Sequence, residues 1–162
     1  IPYTSNYAGT LLPGIREYTV TPGEKTTTIS GKGKAGLKQE ENYYFFYLPV
    51  CYKGITGKSY AYYNTSRSKN LYLPASVDEN YSYDIQLPEN LTLCTPIQEK
   101  KIDNPIGSFK ITLTSEGSSL HIELALQIKK QLITPAEYPA FRSLITEWTD
   151  RTRKPILFKT VQ

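Results

Sequence analysis

From Leu120 to Ile128 apolar and polar residues alternate: Leu120, Ile122, Leu124, Leu126 and Ile128 on one side, His121, Glu123, Ala125 and Gln127 on the other. A side-chain period of two marks a half-buried antiparallel strand. Phe109, Ile111 and Leu113 repeat the pattern upstream, and the loop around Gly117 predicts a hairpin between the two runs. Tyr81, Tyr83, Ile85 and Leu87 alternate with Ser82, Asp84 and Gln86 until Pro88 stops the strand, and "LTLCTP" reads as a short strand ending at Pro96. The β-branched runs flanking Thr21-Pro22-Gly23-Glu24 predict another hairpin. "GKGKAG" follows it, and glycine within a strand often marks a bulge. Two short strands are expected around Ser59–Tyr63 and Asn70–Leu73, with a polar loop from Pro74 to Asn80.

"NYYFFYLP" (42–49) is apolar on both faces of an extended chain: Tyr43, Phe45 and Tyr47 on one, Tyr44, Phe46 and Leu48 on the other. It reads as a central strand covered on both sides, one ring set against the opposing sheet and the other under a helix, against Phe141, Ile145 or Trp148. A binding platform for a ligand such as a sugar would instead need one set exposed.

The period changes only near the end. Tyr138, Phe141, Leu144, Ile145 and Trp148 share one helical stripe, with Arg142, Ser143, Thr146 and Glu147 opposite. Thr134-Pro135-Ala136-Glu137 fits a capping box, so a helix is expected over about 135–149; Pro139 allows a later start. "KPILFKT" then reads as a last strand, a candidate edge guarded by Pro155 and lysines. Many strands, one helix and a strand predict a mainly β fold: an antiparallel β-sandwich, immunoglobulin-like or related, with one C-terminal amphipathic helix followed by a final strand. Residues 1–15 read as a linker or connector and 16–162 as the sandwich domain.

The 162 residues suit one domain, and a net charge of +4 with scattered basic groups lacks the dense stripe expected of a nucleic-acid binder. No window is long and apolar enough to cross a bilayer as a helix. The chain begins Ile1-Pro2 and contains no methionine, which reads as a piece cut from a longer polypeptide. Cys51 and Cys94, the two cysteines, allow one bridge or none.

No catalytic constellation is complete. "GITGKS" lacks the first glycine of a phosphate loop, since Tyr52 stands there. His121, the one histidine, rules out a metal site built on histidines, lies on the polar side of its strand and reads as a surface residue rather than a base for Cys51 or Cys94. Asp78, Glu79, Asp84, Glu99 and Glu116 supply carboxylates, but spacing pairs none of them for acid–base work. Asn64, Asn80 and Asn90 begin N-x-S/T triplets. The reading is therefore no enzyme, no metal and no cofactor in this chain.

Four segments in order, "NYYFFYLP", "NLYLPASVDENYSYDIQLPENLTLCTP", "IDNPIGSFKITLTSEGSSLHIELALQIKKQLITPAEYPAFRSLITEW" and "RKPILFK", give the chain a resemblance that spans about Lys25 to Lys159. It resembles a C-terminal domain of unknown function that follows the transglutaminase-like, papain-like core in Gram-negative bacterial envelope proteins. The Cys-His-Asp triad of such proteins lies in the core, and no residue here matches it. The resemblance implies a non-catalytic accessory module in the periplasm, the cell envelope or the secreted fraction, with the preceding core of the same polypeptide as its partner. Tyr60, Tyr62 and Tyr63 are the candidate interdomain or ligand surface. The alternative is a carbohydrate-binding module using exposed tyrosines, with a glycan as partner; pairing through an edge strand is a third reading.

Overall fold

The computed structural model describes residues 15–24, 26–34, 36–50, 54–55, 63 and 65–160. In chain order the strands are β1 (Ile15–Pro22), β2 (Thr27–Gly33), β3 (Lys38–Glu40), β4 (Tyr43–Phe46), β5 (Leu71–Tyr72), β6 (Val77–Gln86) and β7 (Leu91–Leu93). Then come β8 (Gln98–Asn104), β9 (Gly107–Glu116), β10 (Ser119–Ile128) and β11 (Leu132–Ile133), the helix α1 (Tyr138–Arg153), and β12 (Ile156–Thr160). Two four-stranded antiparallel sheets, ordered β6-β10-β9-β8 and β3-β4-β12-β7, form the sandwich. Two two-stranded sheets, β1-β2 and β11-β5, complete the described strands.

The larger sheet follows the alternation of its sequence. Phe109, Ile111 and Leu113 of β9 and Leu120, Ile122, Leu124, Leu126 and Ile128 of β10 are buried on one face. Helix α1 packs against β9 and β10 on that face, burying Phe141, Leu144, Ile145 and Trp148. Each such side chain contributes about 1.5–3 kcal/mol on leaving water. Gly117 closes the β9–β10 hairpin at φ +57°, where a Cβ is disfavoured. Of the expected loop at 74–80 only 74–76 is irregular; 77–80 already belong to β6, whose inward row runs Val77, Glu79, Tyr81, Tyr83, Ile85. A carboxylate in that row hid the alternation. β8 went unpredicted because it is an edge strand rich in outward charge, including Glu99, Lys100 and Lys101.

Two turns lock the helix onto this sheet. Between β8 and β9, Asn104 Oδ1 accepts from the backbone N–H of Ile106 at 2.9 Å and Gly107 at 3.3 Å, while its Nδ2 donates to Ala140 O of α1 at 3.1 Å. Before α1, the capping box forms: Glu137 Oε2 accepts from Thr134 N and Oγ1, both at 3.0 Å, and Glu137 N donates back to Thr134 Oγ1 at 3.4 Å. That turn precedes the regular helix, which starts three residues later than expected at Tyr138, with Pro139 in the first turn where its missing N–H is tolerated. It also runs to Arg153, because Thr149 and Thr152 are buried on the apolar stripe and Thr152 Oγ1 donates to Trp148 O at 2.9 Å.

The smaller sheet corrects two expectations. β12 is an interior strand between β4 and β7, not an edge. β4 is also interior, between β3 and β12, but its two faces are unequally covered, with Phe45 half-buried between exposed Tyr43 and Tyr47. Tyr44, Phe46 and Leu48 pack on the core with Ile156 and Phe158, whereas Tyr43 and Tyr47 remain 45% and 49% exposed. The helix does not lie over the second ring set, because it packs on the larger sheet.

Candidate functional site

Tyr60 and Tyr62 lie outside the described residues. Tyr63, the third predicted surface tyrosine, is helical and half-buried, so the strand expected at Ser59–Tyr63 does not extend to it. Its ring meets Phe141 edge-on at 5.5 Å, and its carbonyl accepts the Tyr138 hydroxyl at 2.7 Å. Burial pushes the Tyr63 phenol up against the opposing pull of Arg67. These two contacts tie Tyr63 itself to α1.

Beside these contacts runs an open groove of about 500 Å³ along the outer side of α1. Ile102, Pro135 and Pro139 give it an apolar lining; Arg67 and Arg142 add guanidinium groups. Arg67 sits 5.8 Å from the Tyr138 ring centroid, a cation–π distance. At one end Lys100 of β8 and Glu147 of α1 pair at 2.6 Å. Ser66, Ser143 and Thr146 add hydroxyls to the lining, and the Ser143 hydroxyl donates to Ala140 O at 2.8 Å. Sequence reading missed the groove because Arg67, Ile102 and Arg142 meet only in the fold.

The outer face of the smaller sheet is a second surface. Tyr43, Phe45 and Tyr47 share one side of the chain, and β12 sets Leu157 opposite Phe45 and Lys159 opposite Tyr43. Lys38 Nζ stands 5.7 Å from the Tyr47 ring centroid. The result is an aromatic strip bordered by lysines, where the sequence predicted a covered face.

The titratable groups tie the fold together. His121 Nδ1 donates to Asp84 Oδ1 at 2.7 Å and Nε2 lies 3.5 Å from Glu123 Oε1. The Asp84 hydrogen bond is the main reason that its pKa is raised. Glu79, the inward carboxylate of β6, accepts from Ile55 N at 2.7 Å and from the Tyr81 hydroxyl at 3.1 Å. A Cβ on Gly54 would stand 2.5 Å from Glu79 Oε2, so the glycine of "GITGKS" permits a close approach to a carboxylate and not to a phosphate. The Tyr83 hydroxyl, its pKa raised by burial, donates to Pro49 O at 2.6 Å. Cys94 is an exposed free thiol; Cys51 lies outside the described residues. Asn80 is exposed on β6 and Asn90 in the turn after it, while Asn64 lies outside the described residues. Among the described residues no group of three or more His, Cys, Asp and Glu side chains is arranged to hold a metal ion.

Residues 42–158 match a family described as a domain of unknown function with a solved structure, DUF3858. No curated protein matches the chain significantly. A crystal structure of a protein described as a "putative protease", from Parabacteroides distasonis ATCC 8503, is similar at 31% identity with a TM-score of 0.64. The similarity covers 75% of this chain and 24% of that one, so the chain spans about a quarter of the length of that protein.

Proposed function

The chain belongs to the DUF3858 family, and from that membership we propose that it is a non-catalytic accessory module that stabilises or docks the core of a longer polypeptide. One observation carries the reading: the same fold makes up 24% of the Parabacteroides distasonis protein. That protein's description as a protease supports a peptidase-like parent, and the order of the motifs favours a transglutaminase-like, papain-like core exported to the cell envelope. The chain's own chemistry agrees in kind. Its histidine pairs with carboxylates, its inward carboxylate holds the Ile55 N–H, and Tyr63 packs on Phe141. The test compares the full-length gene product with a version lacking this chain, and with the chain alone, using a fluorescent casein substrate. The chain alone should hydrolyse nothing, and its deletion should lower the melting temperature or the activity of the remainder. Hydrolysis by the chain alone, or a deletion without effect on either property, would overturn the proposal.

The exposed pair Tyr43 and Tyr47 favours a second reading, in which the aromatic strip stacks sugars. Four residues of extended chain separate their Cα atoms by about 13 Å, a span suited to a short glycan. Trp148 is buried elsewhere and would not report such binding by fluorescence. Calorimetric titration of a glycan panel should therefore be compared with Tyr43→Ala and Tyr47→Ala. Heat of binding lost in both variants supports this reading; no heat with any glycan removes it.

A further inference from the structure

The β1–β2 hairpin is patterned for burial that it receives only in part. Its ladder places Val20 directly opposite Ile29, and Tyr18 lies on the same face two residues away. The other face pairs Glu17 with Lys32, Thr19 with Ser30 and Thr21 with Thr28. One apolar and one polar face is the signature of a strand pair laid on a core. Yet Tyr18 is 41% exposed, and Val20 and Ile29 are only half-buried. The hairpin is a sheet of its own, hydrogen-bonded to neither four-stranded sheet, and none of its residues belongs to the hydrophobic core among the described residues.

A two-stranded hairpin by itself is marginally stable in water. This one also falls outside the family match, which begins at residue 42. In the Parabacteroides distasonis protein three-quarters of the chain lies beyond the part this fold covers. We propose that the Tyr18–Val20–Ile29 face docks on an apolar surface of the remainder of the parent polypeptide, and that the hairpin is the contact through which the module is held. The inference rests on the reading of the chain as part of a longer protein. A bulge in β1 between Ile15 and Glu17, opposite Lys32 and Gly33, adds local twist at the open end of the ladder.

Hydrogen exchange tests this on two samples, the chain alone and the full-length gene product. In the chain alone the amides of 19–21 and 28–30 should exchange fast while those of β9 and β10 are protected. In the full-length protein the hairpin amides should slow by at least about tenfold, with β9 and β10 unchanged. The double variant V20D/I29D should leave the melting temperature of the chain alone unchanged and lower that of the full-length protein. Equal exchange in both samples, or a variant that is neutral in both, overturns the inference. So does hairpin protection in the chain alone that grows with concentration, which would make a second copy the occupant. If the full-length protein protects the Tyr43–Tyr47 strip and leaves the hairpin fast, the inference fails while the module reading stands. If the gene encodes no further domain, the module reading fails first and removes its basis.

Discussion

The amide of Asn104 donates to the Ala140 carbonyl at 3.1 Å, and this bond ties the turn before β9 to the first part of α1. The same side chain holds the turn from inside by accepting from Ile106 and Gly107. Asn104→Ala therefore strands two N–H donors in the turn and one carbonyl acceptor on α1. It should cost about 1–3 kcal/mol in urea unfolding. Asn104→Asp keeps the oxygen that accepts from the two turn N–H groups and loses the donor to α1, so its loss should be smaller.

Gly107 sits where β9 begins, paired with Ile128. A Cβ there would stand 1.8 Å from Gln127 O, a backbone atom held in the β10 ladder. Gly107→Ala must push two strands apart, so it should cost at least the upper part of the 1–3 kcal/mol range of overpacked cores, about 3 kcal/mol. Gly36 has open space around its Cβ position, and Gly36→Ala should stay within about 0.5 kcal/mol. Paired urea melts of the two variants check both statements.

The smaller sheet makes a contrast between its faces. Phe158, fully buried on β12, should cost about 3–5 kcal/mol as Phe158→Ala. Tyr47→Ala, on the open face, should change stability by less than about 1 kcal/mol in the same melts. A large loss at Tyr47 would mean that the strip is covered.

What the sequence discloses tracks how one-sided each element is. Leu120 to Ile128 was legible because one face is buried without exception. β4 was misread because aromatic residues occupy its open face as well as its core face, and side-chain type alone does not tell an exposed ring from a packed one. Glu79 broke the β6 pattern because its carboxylate is used inside, on Ile55 and Tyr81. Tyr63 was found as a notable residue, but its role came only from Phe141, 78 positions away in sequence and 5.5 Å away between ring centroids. The groove and the half-buried hairpin face are tertiary facts, set among the described residues by what packs against a segment.

His121 is the chain's one histidine, so a single imidazole titration reports it. Its bond to Asp84 raises the folded pKa above the ordinary 6.5. A raised base stabilises the fold fully below the unfolded pKa and loses that contribution as pH rises through the folded value. NMR of the ring protons should place the midpoint above 6.5, and Asp84→Asn should lower it. An unchanged midpoint in that variant would assign the shift elsewhere.

Glu137 sets the acid limit of the helix cap. Lys130 is the first cause of its depressed pKa, followed by the backbone and hydroxyl of Thr134, and together they bring it from 4.5 to about 2. A depressed acid contributes stability that is fully present above the unfolded pKa and is lost as pH falls through the folded one. The window is therefore from about 4.5 down to about 2. Glu137→Gln retains a hydrogen-bonding oxygen toward Thr134 but removes the charge facing Lys130. Melting temperatures measured between pH 6 and pH 2 should fall less steeply in this variant than in the parent, and the two curves should converge at the acid end. Parallel curves across the whole range would show that the ionised carboxylate of Glu137 is not what holds the cap.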